Sequence, residues 1–154
     1  MKILVINGHP DKESYCQAIF QTIVETIDSN RHELKVISLN EEDFDPVLRY
    51  GYRKRMEEDS FILRSQELIQ WADHLIFVYP IWWSSMPSLM KGWIDRVFTP
   101  GIAYSANDQG SFIWNYLRGK QFKKVLKGNK ASIYATSMAP TWGYKIFSGP
   151  LNIP

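Results

Sequence analysis

The feature that most constrains this sequence is the alternation of short strand-like runs with amphipathic helical patterns. Residues 3–6 and 75–79 are uninterrupted runs of apolar and aromatic side chains, and residues 34–39 and 131–135 are two further candidate strands. Uninterrupted runs of this length are typical of strands that are buried on both faces. Since a helical pattern follows each of the first three strands, the sequence predicts an α/β fold with a parallel sheet and helices on both faces.

The three predicted helices differ in how clearly the sequence marks them. In residues 15–27 the apolar side chains recur on one face for about three and a half turns. A second helix is predicted at residues 61–72 and a third at residues 89–98, after Pro87, which suits a first helical turn. Residues 40–59 are charged and irregular, so we expect either an excursion over the surface or a short helix. A loop rich in glycine, asparagine and aromatic residues precedes the fourth strand.

The length and charge of the chain exclude several classes of protein. Its 154 residues fit one domain, which we expect to span residues 1–154. The 18 basic residues against 16 acidic ones leave a net charge of +2, which is too balanced to indicate a nucleic-acid partner. The most apolar stretch, residues 75–83, is far shorter than the roughly 20 residues of a membrane-spanning helix. We therefore expect a cytoplasmic protein without a membrane span.

The cysteine and the histidines give no sign of a metal site or of hydrolytic chemistry. The single cysteine, Cys16, excludes an internal disulfide and a cysteine-based metal site, and we expect its thiol to pack on the apolar face of the first helix. His9, His32 and His74 lie on different predicted elements, and we expect His74 to be structural. Because no Ser/His/Asp or Cys/His set converges, a cofactor must carry any reaction that this chain catalyses.

The chain is short for the sheet that its pattern predicts. A five-stranded doubly wound sheet needs a further strand and helix after residues 131–135, and residues 136–154 do not supply both. We therefore expect the fold to lack its last βα unit.

The unusual residues lie in the loops at the carboxyl ends of the predicted strands, where ligands of open parallel sheets bind. The first of these loops, residues 8–14, ends with Ser14 as a predicted N-cap. The free N–H groups of Tyr15 and Cys16 then lie at a helix N-terminus, which suits a phosphate, and His9 could add a hydrogen bond. A solvated loop before a capped helix is the alternative. The sequence contains neither G-x-G-x-x-G nor G-x-x-x-x-G-K-[ST].

The loops after the third and fourth strands add aromatic and hydroxyl side chains. Trp82 and Trp83 are adjacent in the loop that begins at Pro80, so they cannot both point the same way, and we expect at least one indole to line the crevice. Backbone amides beside flat aromatic rings can hold a planar heterocycle by stacking and hydrogen bonding. Thr136 and Ser137 bring hydroxyl groups to the same edge of the predicted sheet.

Three segments together resemble the flavodoxin-like NAD(P)H:quinone oxidoreductases. Gly8-His9-Pro10 with Ser14 resembles the phosphate loop of that family. Residues 71–83 resemble its pattern of A-D, an apolar strand and P-x-x-W, and residues 87–98 resemble P-x-x-x-K-x-W-[IF]-[DE]-[RK]-V-F. The resemblance spans most of the chain and implies a flavodoxin-like, doubly wound parallel sheet that binds a flavin.

The resemblance also implies which residues contact the flavin. The phosphate or its tail would lie against the first loop and the helix start, the isoalloxazine edge against the second loop, and its polar rim against the third. In that order the residues are His9, Ser14, Tyr15, Cys16 and Ala18; Pro80, Ile81, Trp82 and Trp83; and Thr136 and Ser137.

Members of the family are usually homodimers in which the partner chain completes the active site. We expect Phe112, Trp114 and Tyr116 to make that contribution here, and Trp83 and Tyr144 to be the catalytic residues.

Two loops of this chain depart from the family pattern. Met138 and Ala139 stand where members commonly carry a Gly-Gly step, so a backbone close to the flavin is not carried over there. Some members place a tyrosine and a downstream histidine near the substrate. No histidine follows His74, so that acid–base pair is not carried over to Tyr144.

The function implied by the resemblance is a flavin-dependent NAD(P)H oxidoreductase that passes a hydride to quinones or similar two-electron acceptors. FMN is preferred to FAD because it needs only the identified loops, whereas FAD also needs an adenine site. The alternatives are a regulatory subunit, of the kind that serves potassium efflux systems, and a one-electron carrier of the flavodoxin type. The net charge of +2 disfavours a carrier, which is ordinarily acidic.

Overall fold

Strands and helices alternate along the chain as its periodicity predicts. The structure, a computed structural model, describes residues 1–106, 122–124, 126 and 128–138. The elements are β1 (Lys2–Asn7), α1 (Tyr15–Thr26), β2 (Glu33–Ser38), a 3₁₀ turn (Leu39–Glu41), α2 (Ser60–Trp71), β3 (His74–Pro80), α3 (Ser88–Val97), β4 (Tyr104–Ala106), β5 (Phe122–Lys124) and β6 (Lys130–Thr136).

The main sheet has the strand order β2-β1-β3-β6, and all of its pairings are parallel. The chain moves outward from β1 to β2 and then returns to β3 on the other side of β1. The strand order therefore reverses between β1 and β3, which is where a doubly wound sheet opens a crevice for a ligand. This topology confirms the predicted flavodoxin-like sheet. Within the described residues it has four strands, and β6 pairs with β3 alone.

Successive residues of β1 are buried on opposite faces of the sheet. Ile3 and Val5 belong to a cluster that packs against α1, whereas Leu4 and Ile6 belong to a larger cluster beneath α2 and α3. A strand that is covered on both faces needs apolar side chains at every position, which explains the uninterrupted run in the sequence. Trp93 anchors the larger cluster, and its indole N–H donates to the Ser65 hydroxyl at 3.1 Å.

The region predicted as irregular, residues 40–59, begins at the end of the 3₁₀ turn (Leu39–Glu41), and residues 42–59 then form an excursion over the surface. Each of the two alternatives is therefore met in part. Gly92 on α3 lets this segment cross closely, since a Cβ at that position would overlap the backbone of Pro46. Arg96, also on α3, donates to the Asp45 carbonyl at 2.6 Å and lies 3.4 Å from the Asp59 carboxylate. The excursion is therefore held to the helix by a close backbone approach and a buried guanidinium.

Three local details complete the comparison with the sequence. The antiparallel pair of β4 and β5 falls in a region that the sequence predicts only as a loop. Pro87 precedes α3 as its N-cap residue and does not form its first turn. His74 is structural, as predicted, because its Nε2 lies 2.9 Å from the Ser132 hydroxyl and joins β3 to β6.

Candidate functional site

The carboxyl ends of β1, β3 and β6 border one cavity of about 450 Å³. This volume lies within the range of small-molecule sites in proteins, roughly 300–1,000 Å³. The cavity occupies the edge of the sheet where the strand order reverses. Its lining residues are His9, Pro80, Ile81, Trp82, Trp83, Thr136, Ser137 and Met138.

The first loop is held by a series of bonds from backbone N–H groups to side chains two residues earlier. His9 N–H donates to Asn7 Oδ1 (3.1 Å), Asp11 N–H to His9 Nδ1 (2.9 Å) and Glu13 N–H to Asp11 Oδ1 (3.0 Å). Such bonds give a loop a defined path without regular secondary structure. Because His9 Nδ1 accepts a hydrogen bond, the neutral imidazole carries its proton on Nε2 and can donate it to a ligand.

The first turn of α1 presents free backbone donors. Ser14 is the N-cap, as predicted, and its hydroxyl accepts from Gln17 N–H at 3.2 Å. The Ser14 carbonyl accepts from the N–H groups of Gln17 and Ala18. Within the described part of the chain, the N–H groups of Tyr15 and Cys16 donate to no acceptor. These free donors and the helix dipole suit an anionic group.

The Cys16 side chain is part of the core and does not line the cavity. Its thiol is 1% exposed and lies 3.2 Å from the Thr136 hydroxyl, which joins α1 to the carboxyl end of β6. Burial raises the pKa of the Cys16 thiol, and the hydrogen bond with Thr136 acts in the opposite direction. The prediction of a packed thiol is therefore confirmed, and a raised pKa does not suit a nucleophile.

The two indoles are carried by a tight turn between Trp82 and Ser85. Trp82 N–H donates to the Ser85 carbonyl (2.8 Å), and Ser85 N–H donates to the Trp82 carbonyl (3.0 Å). The two central residues, Trp83 and Ser84, have φ angles of 51° and 60°, in the left-handed region that side chains disfavour. Strain of this kind costs on the order of 1 kcal/mol or more per residue and is concentrated at functional sites.

Both indoles line the cavity, in different ways. The Trp83 side chain is 100% exposed at the rim of the cavity. The Trp82 ring meets the His9 ring edge to face, with 5.4 Å between their centroids. This contact joins the first loop to the second, and the bond from Ile81 N–H to the Thr136 carbonyl (2.8 Å) joins the second to the third. The three loops therefore form one connected surface.

The structure divides the residues that the sequence singles out into three groups. Those in the second and third loops, together with His9, line the cavity. Ser14, Tyr15, Cys16 and Ala18 lie at the start of α1, where the backbone N–H groups of Tyr15 and Cys16 are the free amide donors within the described residues. The remaining candidates lie outside the described residues: Tyr144, Phe112, Trp114, Tyr116 and Ala139.

Sequence reasoning missed Asn7 and Gln17. Asn7 is fully buried at the end of β1, and its Nδ2 donates to Gln17 Oε1 at 2.6 Å. The sequence does contain a signal for this contact, because Asn7 directly follows an uninterrupted apolar strand. A polar side chain buried at that position needs hydrogen-bond partners, which predicts a contact with a neighbouring element.

A second cavity, of about 460 Å³, lies between α2, α3 and the excursion of residues 42–59. Its lining includes both basic and acidic side chains, and Arg55 pairs with Glu58 at 2.9 Å. It lies away from the carboxyl ends of the strands, and its charges are mixed. We therefore assign the candidate site to the cavity at the strand ends.

The described residues contain no group of three or more His, Cys, Asp or Glu side chains that could hold a metal ion. No helix in those ranges is long and apolar enough to cross a membrane.

Similar sequences come from quinone-linked dehydrogenases. The ribosyldihydronicotinamide dehydrogenase [quinone] of Rattus norvegicus is 27% identical over 172 residues, which cover 98% of this chain and 73% of that protein. The NAD(P)H dehydrogenase [quinone] 1 of Cavia porcellus is 28% identical over 159 residues, which cover 87% of this chain and 56% of that protein. The chain spans about half to three quarters of the length of the curated relatives it matches.

Solved structures and a family profile identify the fold. Smu.1420 of Streptococcus mutans has a TM-score of 0.76 and 32% identity, covering 95% of this chain and 73% of that one. The general stress protein 14 of Treponema denticola, solved in complex with FMN, has a TM-score of 0.62 and 26% identity, covering 97% and 70%. The profile described as "Flavodoxin-like fold" matches residues 1–149. This chain belongs to that family of proteins with a flavodoxin-like fold.

Proposed function

We propose that this chain is the flavin-binding part of an oxidoreductase that passes a hydride from NAD(P)H, through FMN, to quinones or similar two-electron acceptors. The observation that carries the proposal is the pairing of free amide donors at the start of α1 with an aromatic cavity beside them. The amide donors suit an anionic group of a ligand, and the indoles suit a flat aromatic group. The names of the Rattus and Cavia relatives support the reaction class.

The residues present fit a flavin mononucleotide. A phosphate would accept from the N–H groups of Tyr15 and Cys16 and from His9 Nε2, because these donors face no protein acceptor in the described residues. The isoalloxazine would lie against Trp82 and Trp83. We prefer FMN to FAD because this donor set serves one phosphate and we identify no adenine site, and the FMN complex of the Treponema denticola protein supports that choice.

The chain's own residues would bind and orient the flavin and the acceptor, through the free amides at the start of α1 and the side chains that line the cavity. The flavin would supply the capacity to accept a hydride and pass it on. Trp83, at the rim of the cavity, would form one wall for the acceptor and exclude water from one side of it. Tyr144 remains a candidate for contact with the acceptor. No side-chain base is needed in the first loop, whose role is to hold the phosphate.

We also propose that the protein acts as a cytoplasmic homodimer whose partner chain contributes to the acceptor site. Phe112, Trp114 and Tyr116 remain the candidates for that contribution. Light scattering coupled to size-exclusion chromatography measures the mass in solution, and a monomer at all concentrations would contradict the proposal.

The test combines flavin binding with turnover. The protein is titrated with FMN and with FAD, and absorbance and protein-bound flavin are measured after free flavin is removed. The loaded protein is then given NADH or NADPH and a small quinone such as menadione. We expect FMN to bind more tightly than FAD, and steady oxidation of the nicotinamide only when the quinone is present.

Two outcomes would contradict the proposal and point to the alternatives. FMN binding without quinone-dependent oxidation would favour a regulatory or carrier role. A protein that binds neither flavin would contradict the assignment of the site itself.

A further inference from the structure

We propose that Asn7 is the positioning residue of the cavity: its buried amide fixes the His9 backbone and the first turn of α1 relative to the sheet. Its role toward the flavin phosphate rests on the proposed function above. The arrangement of the loop that it holds is a property of the ligand-free chain and can be tested separately.

The burial of Asn7 indicates that its hydrogen bonds are needed. The side chain is 0% exposed and ends β1, in register with Ser38 of β2 and Val78 of β3. A buried amide without partners is strongly destabilising. Here the oxygen accepts from His9 N–H (3.1 Å) and the nitrogen donates to Gln17 Oε1 (2.6 Å), so both ends of the amide are satisfied.

The two partners of Asn7 lie on either side of the free amides of Tyr15 and Cys16. His9 is the second residue of the loop and also lines the cavity, and Gln17 lies in the first turn of α1. One planar amide group therefore sets the distance between the His9 backbone and the helix start. Gln17 is also the residue whose N–H the Ser14 cap accepts, so the same turn is held from two directions.

The backbone next to this amide is attached to the sheet and packs against the core. Gly8 N–H donates to the Val78 carbonyl at 2.8 Å and extends the sheet one residue beyond β1. Gly8 also lies against buried Met90, since a Cβ on Gly8 would be 2.7 Å from Met90 Sδ. Asn7 is thus fixed between β2 and β3 in the sheet, and the loop takes its position from it.

The test uses two isosteric variants that remove the amide contacts, Asn7→Leu and Gln17→Met. The matched control is Ser65→Ala, which removes another fully buried polar contact, the hydroxyl bonded to Trp93, between α2 and α3. All of them are compared with the wild-type chain by hydrogen exchange without ligand and by FMN titration, at a temperature where each is folded.

We expect Asn7→Leu and Gln17→Met to speed exchange of the hydrogen-bonded amides of His9, Asp11, Glu13 and Gln17 about tenfold and to raise the FMN Kd about 10- to 100-fold. The double variant should lose no more than the more severe single variant, because both remove the same contact. Ser65→Ala should lower the melting temperature and leave both readouts unchanged. If Asn7→Leu does not fold, Gln17→Met, which changes a half-buried side chain, carries the test.

Each result has a defined meaning. Unchanged exchange in the foldable variants would overturn the inference. Faster exchange with an unchanged FMN Kd would also overturn it, because the amide would then be structural only. If the wild-type chain binds no FMN, the proposed function fails, whereas the exchange data still decide whether Asn7 positions the loop.

Discussion

The two loops that meet at His9 and Trp82 are held in place in opposite ways. Residues 8–14 follow a path set by hydrogen bonds from backbone N–H groups to nearby side chains, and their non-glycine φ angles are all negative. The turn at residues 82–85 is closed by two backbone bonds and contains two non-glycine residues in the left-handed region. Backbone N–H groups of the first loop therefore find acceptors within the loop or at the end of β1, whereas the turn at residues 82–85 has a strained backbone.

This difference indicates that residues 8–14 contribute to the stability of the fold, whereas the turn at residues 82–85 mainly contributes to the surface that meets a ligand. A loop whose hydrogen bonds are made within the chain is stable whether or not a ligand binds, so changes that remove those bonds should alter stability and affinity together. A strained turn that presents an exposed indole contributes little to the core. Changes in the Trp83 side chain should therefore alter the kinetics with the acceptor and leave the free energy of unfolding nearly unchanged.

The largest effect is expected where the first loop leaves the sheet. Gly8→Ala should lower the free energy of unfolding by about 1–3 kcal/mol, because the new methyl group would overlap fully buried Met90. Urea denaturation measures the loss. Combining it with Met90→Ala should cost less than the sum of the two single changes, because the smaller side chain makes room. Wild-type stability in Gly8→Ala would show that the close approach does not constrain the loop.

A smaller effect is expected at the helix cap. Ser14→Ala should cost about 1 kcal/mol of stability, because the Gln17 N–H loses its side-chain acceptor. Ser14→Asp keeps an acceptor at that position, so its stability should remain near that of the wild type, but its negative charge should weaken FMN binding.

The pair of variants separates capping from ligand binding. Thermal melts give the first quantity and FMN titration gives the second, with Ser14→Asn as the uncharged control that retains a capping oxygen. Tighter FMN binding by Ser14→Asp than by Ser14→Asn would contradict the placement of an anion at the start of α1.

The strained turn gives the opposite pattern. Trp83→Ala should change the free energy of unfolding by less than about 0.5 kcal/mol, because the side chain is fully exposed. It should lower kcat/KM for quinone about 3- to 10-fold, the loss expected for one aromatic contact. Tyr50→Ala, an exposed aromatic residue outside this cavity, is the matched control. If Trp83→Ala lost stability and kept its quinone kinetics, the contrast between the loops would be wrong.

The sequence predicts the sheet well because local composition determines it. Residues 3–6 and 75–79 needed apolar side chains on both faces, and that requirement is visible without a structure. The positions of the site loops followed from the alternation of strands and helices, since parallel strands share one carboxyl edge. The short β4 and β5 pair carried no comparable pattern.

The contacts that join the loops could not be predicted in the same way. Cys16 and Thr136 are 120 residues apart in sequence, and only the folded sheet brings the thiol to the hydroxyl. Asn7 and Gln17 are ten residues apart, and their contact depends on the path of the intervening loop. A pattern of residue types indicates burial and periodicity, whereas contacts of this kind depend on the three-dimensional path of the backbone.

The smallest effect is expected at Cys16, which packs between α1 and the sheet. Burial raises the pKa of its thiol above the ordinary value of 9.0, so the folded chain holds the thiol proton more tightly than the unfolded chain does. The stabilisation is complete below pH 9.0 and is lost as the pH rises through the folded pKa. Stability should therefore fall more steeply above pH 9.0 in the wild-type chain than in Cys16→Ala.

Alkylation gives an independent measurement of the same burial. At pH 8 the folded protein should react with iodoacetamide far more slowly than the urea-unfolded chain, since the thiolate is the reactive form and the thiol is buried. Equal rates in the folded and unfolded states would mean that the thiol is accessible. The junction between α1 and β6 would then be open, and the first loop would lack the support behind its helix that distinguishes it from the exposed turn at Trp83.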